Sequence, residues 1–173
     1  MERSTFFTYS YKRQANMDSN IKSPYIFQDK DGFHIVIPTD ITEIEECGFL
    51  GADVETVILP ENITAIGRAA FMGSRVKNIV LPDSLTEIAE DAFGACVNLQ
   101  KVFLPAKLTA IGTRAFMGCD SLTTVEFPPT LKSLGDEAFA FCRGLSSAKL
   151  PKTITSIGKN VFLGCPLEEN PKL

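Results

Sequence analysis

The chain has 173 residues, of which 45% are hydrophobic and 22% are charged, a composition typical of one folded domain. Its net charge of −4 argues against nucleic-acid binding, because a nucleic-acid-binding protein needs a basic surface that neutralises phosphates. No apolar run approaches the ~18 residues that indicate a membrane span, so we also expect no membrane insertion.

The first 38 residues do not share the pattern of the rest of the chain. Residues 1–23 are polar and mixed in character, and we predict a disordered or loosely attached segment without the apolar core of a secretory signal. From residue 24 to 38, two apolar stretches flank the sequence Asp-Lys-Asp-Gly at 29–32, a strong turn signal. We therefore predict a β-hairpin that caps the following part of the chain and also supplies its first strand.

From residue 39 to 167 the chain repeats one unit of 22 or 23 residues. One Phe and one Pro recur in each unit, and two unlike residues with a common period indicate a solenoid in which each unit packs on the next. Six turns are predicted. The phenylalanine ladder comprises Phe49, Phe71, Phe93, Phe116, Phe139 and Phe162, and the prolines are Pro38, Pro60, Pro82, Pro105, Pro128 and Pro151.

The apolar positions within each unit predict its local structure. Two of them lie two residues apart just before the Pro, which is the period of a β-strand, and the Pro ends the strand because it lacks an N–H donor. The segment around each Phe, such as 112–116, suits one helical or 3₁₀ turn. Gly begins that segment in four units, but Glu45 and Ala89 stand there in two others, so the position does not require a positive φ. The prediction is an α/β solenoid with short parallel strands and helical or 3₁₀ turns.

The repeating unit, LxxIgxxAFxgCxxLxxVxLP, resembles the BspA-like (Treponema pallidum type) leucine-rich repeat over Ile35 to about Leu167. Pro stands where the typical leucine-rich repeat has Asn or Cys, Ser74 and Ala52 replace the Cys of the unit, and Phe141 replaces its small Gly. The resemblance implies a curved solenoid with a parallel sheet on one face. Members of this class are often surface proteins of bacteria and protists, some of them adhesins, so it also implies protein binding and a surface or secreted location.

Four of the five cysteines recur with the period of the repeat, and we name them the cysteine ladder. Stacked strands lie about 4.8 Å apart with parallel side chains, which does not suit disulfides, so we predict small buried hydrophobic residues. Because no CxxC motif or Cys/His cluster is present, we expect no metal site and no cofactor. Cys47 lies outside the ladder and is the expected exposed thiol. The cysteine ladder comprises Cys96, Cys119, Cys142 and Cys165.

Two outward columns, formed by the residues that alternate with the inward strand positions, are the candidate binding surface. The second column begins with four apolar residues, which would form an exposed stripe about 14–20 Å long, and such stripes often mark protein-binding sites. The first column is His34, Thr56, Asn78, Lys101, Thr124 and Ser147, and the second is Val36, Ile58, Val80, Phe103, Glu126 and Lys149. The predicted partner contacts are Val36, Ile58, Val80, Lys101 and Phe103, with Glu126 and Lys149 as an ion-paired polar rim.

Two alternatives remain for the stripe. The N-terminal segment, which carries several aromatic residues, could fold over it, or β-branched residues could stand there only because they favour strands. The aromatic residues in question are Phe6, Phe7, Tyr9 and Tyr11.

The predicted function is a non-catalytic protein-interaction module that binds a protein or peptide and is a monomer or weakly self-associating. The alternatives are an intracellular scaffold and a structural block that assembles end to end through its last turn, which the polar tail 168–173 is too short to complete. His34, the single histidine, has no Ser or Cys nucleophile beside it and is expected at the surface. The glycosylation sequon at 62–64 matters only on a eukaryotic secretory route.

Overall fold

The computed structural model describes residues 25–30 and 32–168, in which thirteen short strands follow one another. The predicted N-terminal segment 1–23 lies outside the described residues, as does the tail after Glu168, and the predicted domain boundaries stay predictions. The strands are β1 (Tyr25–Asp29), β2 (Gly32–Val36), β3 (Glu43–Ile44), β4 (Thr56–Ile58), β5 (Ala65–Ile66), β6 (Asn78–Val80), β7 (Glu87–Ile88), β8 (Lys101–Phe103), β9 (Ala110–Ile111), β10 (Thr124–Glu126), β11 (Ser133–Leu134), β12 (Ser147–Lys149) and β13 (Ser156–Ile157).

The even-numbered strands form the first face of a β-solenoid. They stack in parallel in the order β2, β4, β6 and β8, and β12 pairs in parallel with β10, which lies against β8. Each step from one strand to the next is one turn of the chain, so six units make a solenoid of about five turns. One residue of each of these strands, aligned with its equivalents by the register, points inward and is buried, as the period of two predicts. These residues are Ile35, Val57, Ile79, Val102, Val125 and Ala148.

The two-residue strands form the second face. β3 pairs in parallel with β5, and β7, β9, β11 and β13 form a four-stranded parallel sheet. Their second residues close the core from this side, and no unit could bury them alone, because each covers only its neighbour. Those residues are Ile44, Ile66, Ile88, Ile111, Leu134 and Ile157, the last of which is only half-buried.

The predicted hairpin is confirmed. β1 pairs antiparallel with β2 in a register that places Tyr25 opposite Val36 and Asp29 opposite Gly32. β1 thereby occupies the outer edge of the five-stranded sheet, beyond the first strand of the solenoid.

The predicted helical or 3₁₀ turns, and with them the α/β class, are wrong, because the described residues contain no helix. In the segment around Phe49 the backbone N–H groups alternate between two kinds of acceptor. Gly48 donates to Glu45 within the same turn (3.1 Å), whereas Phe49 donates to Ala70 of the next turn (2.7 Å). A helix cannot form because every second N–H is bonded to a neighbouring turn and is not available to a carbonyl four residues back.

This alternation requires two left-handed residues in every unit. The residue two positions before each Phe has a positive φ, from 52° at Ala69 to 57° at Cys47 and Glu137, and so has the residue two positions after it. The glycines that begin these segments do not have a positive φ, as predicted, but they have another function. A Cβ on Gly135 would lie 2.4 Å from the backbone nitrogen of Thr113, so Gly permits close contact between neighbouring turns.

The phenylalanine ladder fills the centre of the core. Phe93 and Phe116 are fully buried and stack with ring centroids 5.2 Å apart, and the same offset stack continues through all six rings. Phe127 adds an edge contact to Phe139 at 5.6 Å. The rings at the two ends, Phe49 and Phe162, are only half-buried, because each has a single ring neighbour.

The cysteine ladder runs beside these rings, and its cysteines are free thiols, as predicted. Cys96, Cys119 and Cys142 are buried and Cys165 is half-buried. Each Sγ donates to the carbonyl of the Phe one turn back, for example Cys119 to Phe93 at 3.2 Å, so the thiol satisfies an acceptor inside the core. Burial raises the pKa of Cys96 from 9.0 to about 11.

Candidate protein-binding surface

Both outward columns lie on the first face, on the side opposite the core. The strand register places His34, Thr56, Asn78 and Lys101 side by side, and it pairs Val36 with Ile58, Val80 with Phe103 and Glu126 with Lys149. The predicted columns are therefore real rows of neighbours, spaced by one strand.

The exposure of the second column changes along the solenoid. Val36 retains 6% exposure, so the exposed position predicted for it is wrong. Its backbone lies between β1 and β4, and no later strand has an antiparallel neighbour such as β1. Ile58 and Val80 are half-buried, and Phe103 is 42% exposed. The apolar surface that a partner could contact is thus centred on Phe103. The alternative that the N-terminal aromatic residues cover the stripe stays open, because those residues lie outside the described ranges.

The charged residues next to Phe103 are exposed and unpaired. The side chains of Lys101, Glu126 and Lys149 form no ion pair or hydrogen bond with any residue in the described ranges. The predicted pair of Glu126 and Lys149 is therefore wrong, although the two are direct neighbours in the register. Two turns earlier, by contrast, Lys77 pairs with Glu55 at 3.0 Å.

His34 does not lie at the surface as predicted. It retains 8% exposure, and its Nε2 lies 2.8 Å from Oδ1 of Asp29 across the turn of the hairpin. This contact ties β1 to β2, so the histidine has a structural role in the hairpin.

A second exposed apolar group, which the sequence analysis did not predict as a site, lies on the edge formed by the segments around the Phe residues. Phe141 has a φ of 59° and is 45% exposed, in a column that holds Gly or Ala in the other five units. Its ring lies over Gly164, and Leu163 beside it is also exposed. A left-handed Phe is costly, because its Cβ crowds the following carbonyl. In the sequence, the replacement of the small Gly of the unit by Phe141 was the feature that could have indicated this exposed apolar group.

Ion pairs between neighbouring turns lie in the same segments around the Phe residues. Arg114 donates from Nε and one terminal nitrogen to Asp91, at 3.0 and 3.1 Å, and also binds Glu90. These hydrogen bonds raise the pKa of Arg114, which stays charged. Because Arg114 belongs to one turn and both carboxylates belong to the turn before it, these hydrogen bonds join two neighbouring turns.

The sequon asparagine is also part of the fold. Asn62 donates its side-chain amide to the carbonyls of Thr39 (2.9 Å) and Ile41 (3.0 Å), one turn back. Its amide nitrogen therefore connects two turns of the backbone in the folded protein.

No group of three His, Cys, Asp or Glu side chains in the described ranges could hold a metal ion. No helix in the same ranges is long and apolar enough to cross a membrane.

The stacked parallel strands, the phenylalanine ladder and the repeat length define a leucine-rich repeat solenoid. The sequence family described as BspA type leucine rich repeat region matches residues 19–116 and 64–170 in six copies, and the chain belongs to this family. None of the curated proteins matches the chain significantly.

Solved structures of bacterial leucine-rich repeat proteins are similar to this chain. A T. pallidum leucine-rich repeat protein is 27% identical with a TM-score of 0.67, over 86% of this chain and 89% of that one. A protein from Eubacterium ventriosum is 26% identical with a TM-score of 0.69, over 79% of this chain. A leucine rich cell surface protein from Faecalibacterium prausnitzii is 22% identical with a TM-score of 0.61, over 80% of this chain, and shares the fold. The chain spans 37% of the E. ventriosum protein and 38% of the F. prausnitzii protein.

Proposed function

We propose that the chain is a non-catalytic protein-interaction module whose first face binds a protein or peptide segment. The family is one of repeat scaffolds, and such scaffolds are typically non-catalytic. The observation that supports this face most directly is Phe103, a large aromatic side chain held outward on a strand and exposed beside the half-buried Val80. Aromatic side chains on a rigid support are common anchors of interfaces, since they bury a large area with little loss of entropy.

The proposal predicts that Phe103→Ser weakens binding without unfolding the chain. Short peptides selected from a displayed random library against the immobilised full chain supply the ligand, and calorimetry gives their affinity. We expect Phe103→Ser to weaken binding by more than about 1 kcal/mol, which is roughly fivefold. Val97→Ser is the matched control, because Val97 is exposed and apolar but lies outside both outward columns. Peptides that bind the Phe103→Ser and wild-type proteins equally well would contradict the proposal.

The alternative of end-to-end assembly has a specific obstacle. β1 occupies the sheet edge beyond β2, where a strand of a second copy would have to pair to continue the first face. Because β1 is antiparallel to β2, a second copy would meet an antiparallel strand there and not the parallel strand on which each turn of the solenoid stacks. Size exclusion at several concentrations tests the alternative, since stacking depends on concentration.

A surface location also belongs to the proposal. It is supported by the family resemblance alone, because the likeness to the F. prausnitzii surface protein is too distant to carry more than the fold. Locating the native protein by cell fractionation tests it.

A further inference from the structure

The charge of the chain is divided unequally along the solenoid. Residues 25–98 hold 4 Lys or Arg and 13 Asp or Glu, whereas residues 99–168 hold 8 Lys or Arg and 5 Asp or Glu. The net charge of −4 therefore conceals an acidic first half and a basic second half. Phe103 lies in the basic half, near its boundary with the acidic half.

The lysines of the outward columns are available to a partner. Lys101 stands two residues before Phe103 on the same strand, and Lys149 lies two strands further along the second column. At the usual dimensions of a sheet, Lys101 is roughly 7 Å from Phe103 along the strand, and Lys149 is roughly 10 Å from it across two strand spacings. Neither forms an ion pair within the described residues, so a partner need not displace an internal carboxylate. Glu126, between Phe103 and Lys149, is the single acidic group in these columns.

We propose that the partner is an extended acidic segment of a polypeptide, with an apolar side chain on Phe103 and carboxylates near Lys101 and Lys149. This proposal rests on the function proposed above. In an extended chain, side chains two residues apart lie about 7 Å apart on one side, so acidic residues two positions before or after the apolar residue face the same surface as that residue and lie within reach of the long lysine side chains. The acidic first half repels such a segment and the basic second half attracts it, which selects its position and speeds association.

The test uses three sets of short displayed peptides that share a central Phe or Leu. The positions two residues to either side are Asp or Glu in one set, Lys or Arg in the second and Ser in the third. We expect the full chain to enrich the acidic set at low salt and to lose this preference as ionic strength rises, since exposed charges are screened. Lys101→Glu and Lys149→Glu together should weaken the acidic peptides roughly tenfold.

The control variant carries Lys132→Glu and Lys152→Glu, which make the same charge change at exposed residues outside both columns. It should leave the preference for the acidic set unchanged. If binding depends on Phe103 but the serine or basic set binds as well as the acidic set, this inference is wrong and the proposed function stands. If no set depends on Phe103, the proposed function itself fails. Dimerisation that depends on Phe103, seen by sedimentation equilibrium, would identify a second copy as the occupant and overturn the proposal.

Discussion

The substitution Phe116→Ala tests the phenylalanine ladder most directly. Phe116 is fully buried, with its ring 5.2 Å from that of Phe93 and 5.1 Å from that of Phe139. Burial of a Phe side chain contributes about 3 kcal/mol, and each of the two stacked contacts adds about 0.5–1 kcal/mol. We therefore expect a loss of about 4–5 kcal/mol, within the range of buried Phe→Ala substitutions.

Urea unfolding of the full chain measures this loss, and Phe162→Ala is the matched control. Phe162 is half-buried and stacks on Phe139 alone, at 5.8 Å, so its removal should cost about 2 kcal/mol. Because each turn supports its neighbours, hydrogen exchange in the Phe116→Ala protein should rise on both sides of the substituted turn. An unchanged unfolding midpoint, or equal losses in the two variants, would refute the ladder as the centre of stability.

The remaining predictions concern the thiols and the backbone. Brief alkylation of the native protein followed by mass spectrometry should label Cys47 before the cysteine ladder, because Cys47 alone is exposed; earlier labelling of the ladder would contradict this. The pKa of Cys96 is raised from 9.0 to about 11, so the stability that its protonated thiol contributes is complete below pH 9 and is lost as the pH rises through about 11. Between these pH values the free energy of unfolding should therefore fall as the pH rises, and Cys96→Ser should make this fall smaller. An equal fall in the variant and the wild-type protein would contradict the contribution of the thiol. Phe141→Gly should raise the free energy of unfolding by up to about 1 kcal/mol, because Gly adopts a φ of 59° without strain. Phe103→Gly, the same change at an exposed residue in a strand, should lower it, and a loss of stability in both variants would exclude strain at Phe141.

Some features of the surface could not be read from the chain. Val36 and Phe103 occupy equivalent places in the repeat, yet one is buried and the other exposed. Their difference arises from the position of each turn in the stack, with β1 beside Val36 and only solenoid strands beside Phe103, and a periodic pattern carries no information about position. The missing ion pair of Glu126 and Lys149 has a similar origin, because the register makes them neighbours but does not decide where their side chains point.

The amino-acid sequence by itself determined the repeat, the residues that point inward, and the stacking of equivalent residues from successive turns. Phe93 and Phe116 stack, and Cys119 lies beside them, because a common period places equivalent residues over one another whatever the path of the chain between them. Only the tertiary structure decided the backbone of the segments around each Phe. A run such as Thr113 to Phe116 suits a helix locally, but its N–H groups alternate between acceptors in their own turn and acceptors in the next. Hydrogen bonds to another turn exist only once the solenoid has formed, so no local preference could reveal them.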